Sequence, residues 1–239
     1  MSRTSAARSA KLTRRLLGCG VLAGPVFVST FLLDGATRSG YDPLRHPVSS
    51  LGLGPRREVQ IANFHVAGVL YLAYAAGLLR SAPSPRRAGA APILIGASAV
   101  GMIGAGVFAT DPVSGYPPGT PDQLIDRTTA GLWHDLLSVP TFLGLPGAAF
   151  VSARRFRRTG QRSWARYSAG SGLLMLVTFG MASAGFAQVR LLVNFGGLFQ
   201  RVAVITGFSW LTARAVHALQ TGRQQVLSAG LAQRPLPGG

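Results

Sequence analysis

Residues 16–33 read LLGCGVLAGPVFVSTFLL, a run of apolar and small residues that contains no charged side chain. A helix needs about 20 such residues to cross roughly 30 Å of hydrocarbon, so this stretch predicts a membrane span. A basic segment, residues 3–15, precedes the run and makes it resemble a signal peptide. The run is longer than the h-region of about 7–15 residues in a signal peptide, and no clear small-residue cleavage site follows it. We therefore expect an uncleaved first helix.

Five further apolar stretches follow the first, and they run over residues 59–79, 91–109, 132–152, 167–187 and 191–216. Each is close to the length that one membrane crossing requires. We predict an all-α fold, an integral membrane bundle of six transmembrane helices that occupies residues 16–216. A basic cytoplasmic tail, residues 1–15, precedes the bundle, and a disordered cytoplasmic tail, residues 217–239, follows it.

The composition supports this class of protein and excludes others. Apolar residues make up 48% of the chain and charged residues only 13%, about half of the share in soluble domains. Disorder requires low hydrophobicity and is excluded. The net charge of +17 would suit a nucleic-acid binder, but here the arginines flank long apolar runs, so we expect a lipid bilayer as partner and no nucleic acid. The single cysteine, Cys19, excludes an intramolecular disulfide and a cysteine-based metal site.

The basic residues also predict the orientation. With a cytoplasmic N-terminus, 17 of the 24 basic residues lie in the cytoplasmic segments and 6 in the outer loops, while Arg201 lies within a helix. All seven acidic residues fall on or next to the outer side. Because short cytoplasmic loops are enriched in Lys and Arg, both termini are expected in the cytoplasm, with the bundle in the cytoplasmic membrane.

Two long outer loops contain the unusual residues. Both loops, 34–58 and 110–131, contain an Asp-Pro and a Gly-Tyr step, and Pro and Gly favour defined turns. One interpretation is that they are only tight turns between helices. The other, which we favour, is that two ordered Pro/Gly-rich caps pack together above the second, fourth and sixth helices. The second interpretation places in one neighbourhood Tyr41, Asp42, His46, Asp111, Tyr116 and His134.

Polar residues also recur at helical spacing below these loops. Gln60, Asn63, Tyr71 and Tyr74 fall on one face of the second helix, and His134, Ser138 and Thr141 on one face of the fourth. In the sixth stretch the spacing predicts a stripe of Arg190, Asn194, Gly197 and Arg201. The small residues Ala97, Gly101 and Ala105 predict close packing of the third helix.

Arg201 is the most unusual of these residues. It lies about 10 residues into the sixth stretch, near the centre of the bilayer, where a charge costs at least about 2.5–3.5 kcal/mol. We expect it to face the bundle and to pair with an outer carboxylate, Asp135 first and Asp111 second. Gln60, Asn63 or Asn194 would add hydrogen bonds. An arginine that only ties helices together is the alternative.

The outer-loop residues carry a resemblance to a known family. Residues 40–43 (GYDP) and 46–52 (HPVSSLG), then Gln60, Asn63-Phe64 and Gly68, resemble the bacterial and archaeal membrane family known as domain of unknown function 998. Residues 106–108 (GVF), 111–112 (DP), 115–119 (GYPPG) and His134 fit the same family. The resemblance covers residues 15–216 and implies a compact bundle of about six helices, without an activity.

A second, more distant likeness concerns the same loop. The step from Ser49 through Gly52 into the helix of Asn63 is similar to the Frag1/DRAM/Sfk1 group, whose members are associated with lipid handling. Ser50 stands where relatives often have an acidic residue, so no carboxylate role is carried over to this loop.

The function we favour is the binding of a lipid or small amphiphile at a polar site on the outer face. The candidate contacts are Tyr41, Asp42, His46, Ser50, Gln60, Asn63, Asp111, Tyr116, His134, Asp135, Asn194 and Arg201. No set of residues indicates a particular catalytic reaction. We expect no metal and no cofactor; a haem would need two facing histidines at matched depth, and the histidines of the sequence are few and scattered. Two alternatives stay open. One is a membrane-embedded hydrolase, with zinc held by His46, His65, His134 and outer aspartates; the other is a small transporter in which Arg201 contacts an anion.

Overall fold

The computed structural model describes residues 3–82, 84 and 88–232. Within this part the chain is all-α, and its helices are α1 (Arg3–Ala36), α2 (Arg57–Ser81), α3 (Ala91–Val107), α4 (Thr129–Val139), α5 (Leu145–Arg158), α6 (Arg162–Phe186) and α7 (Gly196–Ala232). A short 3₁₀ helix, Val48–Gly52, lies in the first long loop. A π-helical turn, Pro140–Gly144, joins α4 to α5. The all-α prediction is confirmed.

Five helices are long and apolar enough to cross a membrane, and these are Arg8–Ala36, Arg57–Ser81, Thr129–Arg158, Arg162–Phe186 and Gly196–Gly222. The fourth of them combines α4, the π-helical turn and α5. Helix α3 is also apolar but has only 17 residues. The structure therefore agrees with a membrane protein that has several spanning helices.

Several helix boundaries differ from the predicted ones, and three of these differences bear on the predictions. Helix α1 already begins at Arg3, because the Ala, Arg and Lys residues of the basic segment are good helix formers. Helix α7 continues to Ala232, so residues 217–232 are helical rather than a disordered tail; residues 233–239 of that predicted tail lie outside the described residues. Helix α7 also begins only at Gly196, since residues 190–195 form turns.

The helices pack in a ring that follows the order of the chain. Helix α1 packs against α2 and α7, α3 packs against α2 and the helix that α4 and α5 form, and α6 packs against α5 and α7. Aromatic rings join three of these helices. The ring of Phe27 in α1 lies 4.9 Å from that of Phe208 in α7, which lies 5.2 Å from the ring of Tyr71 in α2. The ring of helices encloses the space beneath the two long loops.

The close packing of α3 agrees in part with the predicted small-residue spacing. A Cβ atom at Gly101 would clash with the carbonyl oxygen of Leu137, and one at Gly104 would lie 2.5 Å from the Leu137 side chain. These glycines therefore let α4 approach the backbone of α3. Ala97 is exposed and does not belong to this contact.

Candidate ligand-binding site

The two long loops pack against each other, as predicted. Arg45 of the first loop forms a salt bridge of 2.8 Å with Asp122 of the second. The ring of Tyr116 lies edge-on to that of Tyr41, with 5.1 Å between the centroids. Gly40 has a φ of +71°, and a Cβ atom there would lie 2.5 Å from Pro118, so the approach of the loops requires glycine.

The first loop also closes the N-terminal end of α7. The backbone N–H groups of Gly197 and Leu198 donate to the carbonyl oxygens of Arg45 and Leu44, over 3.2 and 2.8 Å. The first N–H groups of a helix have no partner within the helix, so the loop supplies the acceptors. Gln200 returns the contact, because its Oε1 accepts from the N–H of Val48 at 2.7 Å.

Arg201 is buried, but the predicted pairing with a carboxylate is wrong. Its guanidinium donates to the carbonyl oxygens of His46 and Gly197, both at 3.0 Å, and to the hydroxyl of Tyr41. Because α7 begins at Gly196, Arg201 lies only five residues into the helix, or about 7.5 Å, directly beneath the first loop. The predicted stripe is also wrong, since Arg190 and Asn194 lie outside the helix and are exposed.

The two favoured carboxylates have other partners. Asp135 is half-exposed and forms a salt bridge of 3.0 Å with Arg127. Asp111 accepts from the side chain and the N–H of Thr128, at 2.6 and 3.1 Å. Thr128 is the N-cap of α4 and accepts from the N–H of Gly131, so Asp111 fixes the start of α4.

Tyr41 and His46 have electrostatic properties that follow from burial. Burial raises the pKa of Tyr41 to about 12, although Arg201 next to it acts in the opposite direction, so Tyr41 is a neutral phenol at pH 7. Burial likewise lowers the pKa of His46 below its usual value. The Nδ1 atom of His46 accepts from the N–H of Asp42 at 2.9 Å, which requires that this nitrogen carry no proton.

The predicted single neighbourhood is divided in two. Tyr41, His46 and Tyr116 form one aromatic cluster, with centroids 5.1–5.4 Å apart. Asp111 and His134 belong to the junction of α3 and α4 instead. There the Nδ1–H of His134 donates to the carbonyl oxygen of Phe108 at 2.9 Å. The reason is local, because α4 follows directly on the second loop and Asp111 accepts hydrogen bonds from its N-cap, Thr128.

A cavity of about 610 Å³ lies between the two clusters, below the loops. Its deeper walls are apolar and come from five of the helices, through Phe27, Phe64, Met102, Phe142, Phe179 and Phe208. Its rim is polar, with Ser49, Asp111, Arg127, His134, Asp135 and Gln200. A cavity with apolar depth and a polar rim matches an amphiphile, and its volume lies within the range of about 300–1,000 Å³ for small-molecule sites.

The cavity separates the candidate contacts into two groups. Asp111, His134 and Asp135 line it. The other candidates lie elsewhere, in the loop cluster, in the α1–α2 interface or in the exposed turn before α7, and they are Tyr41, Asp42, His46, Ser50, Gln60, Asn63, Tyr116, Asn194 and Arg201. Ser138 and Thr141 do line the cavity, as their shared helix face with His134 suggested.

Sequence reasoning missed several of the lining residues. Gln200 contributes a buried amide at the rim. It was missed because it directly precedes Arg201 and so does not fall on the helical face that was predicted for Arg201. The aromatic residues that line the deeper part are indistinguishable in sequence from aromatic residues that face lipid. One sequence signal could have identified some of them. It is an aromatic residue directly next to a polar residue within a helix, as in Asn63-Phe64.

The described residues do not support a zinc hydrolase. No group of three His, Cys, Asp or Glu side chains among them is close enough to hold a metal ion. His65, the third histidine of that interpretation, has its Nδ1 atom 2.7 Å from the carbonyl oxygen of Ile61. Arg201 does not line the cavity either, and both terminal nitrogens of its guanidinium are bonded to protein acceptors, so the structure gives the transporter interpretation no anion contact.

Comparisons with known proteins give one match. A family model described as "Protein of unknown function (DUF998)" matches residues 21–217, which includes both long loops and the helices that line the cavity. No curated protein and no solved structure matches the chain. The likeness to the Frag1/DRAM/Sfk1 group stays a prediction.

Proposed function

The chain belongs to the DUF998 family of proteins of unknown function, and we propose that this member binds a single lipid or small amphiphile in the cavity beneath its long loops. The observation that carries the proposal is the cavity itself, about 610 Å³ with apolar depth and a polar rim. The hydrophobic effect favours the transfer of an alkyl chain into such a space by about 0.8 kcal/mol for each buried CH₂ group.

The arrangement of the helices supports an entrance from the membrane. Helix α4 packs against α3 and also borders the cavity, through His134, Asp135 and Ser138. Across the cavity, Phe179, Ser183 and Phe186 of α6 form the facing wall. An amphiphile can thus enter between α4 and α6 with its apolar part in the bilayer and its polar head at the rim.

The rim supplies groups that suit a polar head. The Nδ1 of His134 is bonded to backbone carbonyls, which leaves Nε2 as the ring nitrogen for a ligand. Gln200 uses its Oε1 for Val48, which leaves its amide N–H groups. Arg127 and Asp135 add a cation and an anion at the opening. We infer that the head is hydrogen-bonding and zwitterionic or uncharged, since the rim contains both signs of charge.

The proposal includes the complete membrane topology. We propose α3 as a sixth span, because 17 apolar residues reach about 26 Å and lie at the short end of the spanning range. Both termini then lie on one side, and the excess of arginines in the shorter loops supports a cytoplasmic location of that side, with the protein in the inner membrane.

Lipid retention tests the binding function. Protein purified in mild detergent should retain one amphiphile, detected by native mass spectrometry. Ser183→Trp places a bulky ring at the wall between α4 and α6 and should abolish retention. Ser29→Trp is the matched control, because Ser29 is also an exposed helical serine whose hydroxyl donates to the carbonyl four residues earlier. Equal retention by both variants would contradict the proposed cavity site.

A further inference from the structure

Arg214 of α7 is a buried cation to which the described residues offer no anion. Its side chain belongs to a residue that is 9% exposed, and its Nε atom is enclosed without an acceptor. Its guanidinium takes part in none of the hydrogen bonds or ion pairs formed by the described residues, and its Cζ lies 5.8 Å from the centroid of the Phe156 ring. Arg201 on the same helix has three hydrogen-bond acceptors in the protein, whereas Arg214 has none among the described residues.

No Asp or Glu side chain is placed to neutralise Arg214. The acidic residues of the sequence are Asp34, Asp42, Glu58, Asp111, Asp122, Asp126 and Asp135. All of them lie in the two long loops or in the helical turns next to them. Arg214 lies 18 residues after the start of α7, about 27 Å away at the opposite end of the bundle. The Asp and Glu side chains therefore leave Arg214 without an anion in the part of the chain that the structure describes.

The surroundings of Arg214 are rich in hydrogen-bond donors. Tyr74 of α2 lies within electrostatic range of it, at the same level of the bundle, and its hydroxyl is enclosed without a partner. Arg155 of α5 also lies within electrostatic range. The terminal guanidinium nitrogens are not among the enclosed atoms, so they remain open to a ligand. Phosphate oxygens are the acceptors that such a guanidinium prefers.

We propose that the terminal guanidinium nitrogens of Arg214 bind the phosphate group of an anionic phospholipid in the leaflet at the arginine-rich end of the bundle. A lipid is favoured over free phosphate because Arg214 lies on a spanning helix, about 27 Å from its start, where the headgroup region of that leaflet begins. Anionic headgroups attract basic residues at this level of a membrane protein. The site is separate from the cavity beneath the long loops.

Phosphatidylglycerol and phosphatidylcholine are the probes for this site. The full chain in detergent should gain roughly 5–10 °C in thermal midpoint from phosphatidylglycerol and much less from phosphatidylcholine. Native mass spectrometry should show that Arg214→Gln lowers the retention of phosphatidylglycerol about tenfold, as one charge-assisted interaction implies. Arg158→Gln is the matched control, since it removes one exposed arginine at the same end, and it should leave retention unchanged. Ser183→Trp should also leave it unchanged, which separates this site from the cavity.

Four outcomes would overturn the proposal. Equal losses in Arg214→Gln and Arg158→Gln would show a diffuse surface attraction instead of a site. Stabilisation by inorganic phosphate equal to that by phosphatidylglycerol would assign the site to free phosphate. If Arg214→Gln fails to fold, Arg214→Lys keeps the charge but loses the planar fork of donors and should still lower retention severalfold; unchanged retention there would contradict the site. Loss of phosphatidylglycerol in Ser183→Trp alone would move the lipid to the cavity.

Discussion

Arg201 shows how a single buried charge is accommodated without a carboxylate. Two backbone carbonyls and the Tyr41 hydroxyl accept its hydrogen bonds, and the rings of Phe31 and Tyr41 lie 5.9 and 5.5 Å from its Cζ. Hydrogen bonds to charged groups contribute more than neutral ones, and aromatic faces attract a guanidinium. The consequence is that Arg201 holds the first loop on α7 rather than presenting its charge to a ligand.

Removal of the Tyr41 hydroxyl tests this role. Tyr41→Phe keeps the ring contacts and deletes one acceptor of Arg201, so the free energy of unfolding in detergent should fall by about 1.5–3 kcal/mol. Tyr167→Phe is the control, because Tyr167 is exposed on α6 and its change should stay within about 0.5 kcal/mol. A Tyr41→Phe protein as stable as the wild type would show that the hydroxyl is not part of the anchor.

The pH dependence of the loop structure should depend on His46. Its pKa is lowered first by burial and then by Arg45 and Arg201, while Asp42 and the backbone of Ser114 oppose the shift. The unfolded chain therefore binds a proton at a higher pH than the folded chain. Stability is fully present above the unfolded pKa of about 6.5 and is lost as the pH falls through the lower folded value.

His46→Gln measures that contribution. The variant should show a flatter dependence of the thermal midpoint on pH below about 6.5 than the wild type. The comparison uses the two slopes, so a lower stability of the variant at neutral pH does not affect it. Identical slopes in the two proteins would contradict the assignment to His46.

At the scale of elements, the approach of α3 and α4 decides where the cavity opens. Gly101 and Gly104 bring the backbone of α3 against Leu137 of α4. The π-helical turn at Pro140–Gly144 returns the chain to the helix α5, which packs against α6. Such turns occur often at functional sites, and here the turn borders the cavity through Thr141, Phe142 and Leu143.

A methyl group at Gly101 tests this packing. Gly101→Ala places a Cβ atom against the Leu137 carbonyl, so the helices must separate, and the free energy of unfolding should fall by about 1–3 kcal/mol. Gly180→Ala is the control, since a Cβ atom there meets no atom within 4 Å, and it should be neutral or stabilising by up to about 1 kcal/mol. Equal effects of the two substitutions would contradict a close α3–α4 contact.

At the scale of the whole molecule, the charges are distributed to opposite ends. The acids lie around the two long loops, and the arginine-rich segments lie at the other end of the helices. The proposed orientation, the side of the membrane on which the cavity lies and the leaflet of the site at Arg214 all depend on this distribution. One experiment on topology therefore bears on each of them.

Cysteine labelling measures the orientation. In a Cys19→Ala background, an impermeant thiol reagent added to intact cells should label Gln123→Cys in the second loop and miss Ser163→Cys at the start of α6. Both positions are exposed, whereas Ser114 is fully buried and would not report on the side. The reverse pattern of labelling would contradict the proposed orientation.

The sequence alone determined the class of fold and the residues of the cap. Apolar runs of membrane-spanning length are a local property, because each helix satisfies its own backbone in lipid. The loop motifs 40–43, 46–52 and 115–119 likewise predicted ordered caps, since Pro and Gly restrict or permit backbone angles residue by residue. The polar face of Gln60, Asn63, Tyr71 and Tyr74 is buried, as its helical spacing indicated.

Only the tertiary structure decided the partners and the cavity. Arg201 was expected to find a carboxylate, but the start of α7 at Gly196 moved it towards the first loop, and backbone carbonyls in that loop supply no signal in a sequence. The residues that line the cavity could also not be predicted from the sequence. Phenylalanines such as Phe142 and Phe179 give the same hydrophobic signal whether they face lipid or an internal space. Whether such a residue faces the lipid or the cavity depends on how α4 packs against α3. That packing is a long-range contact, which local periodicity does not encode.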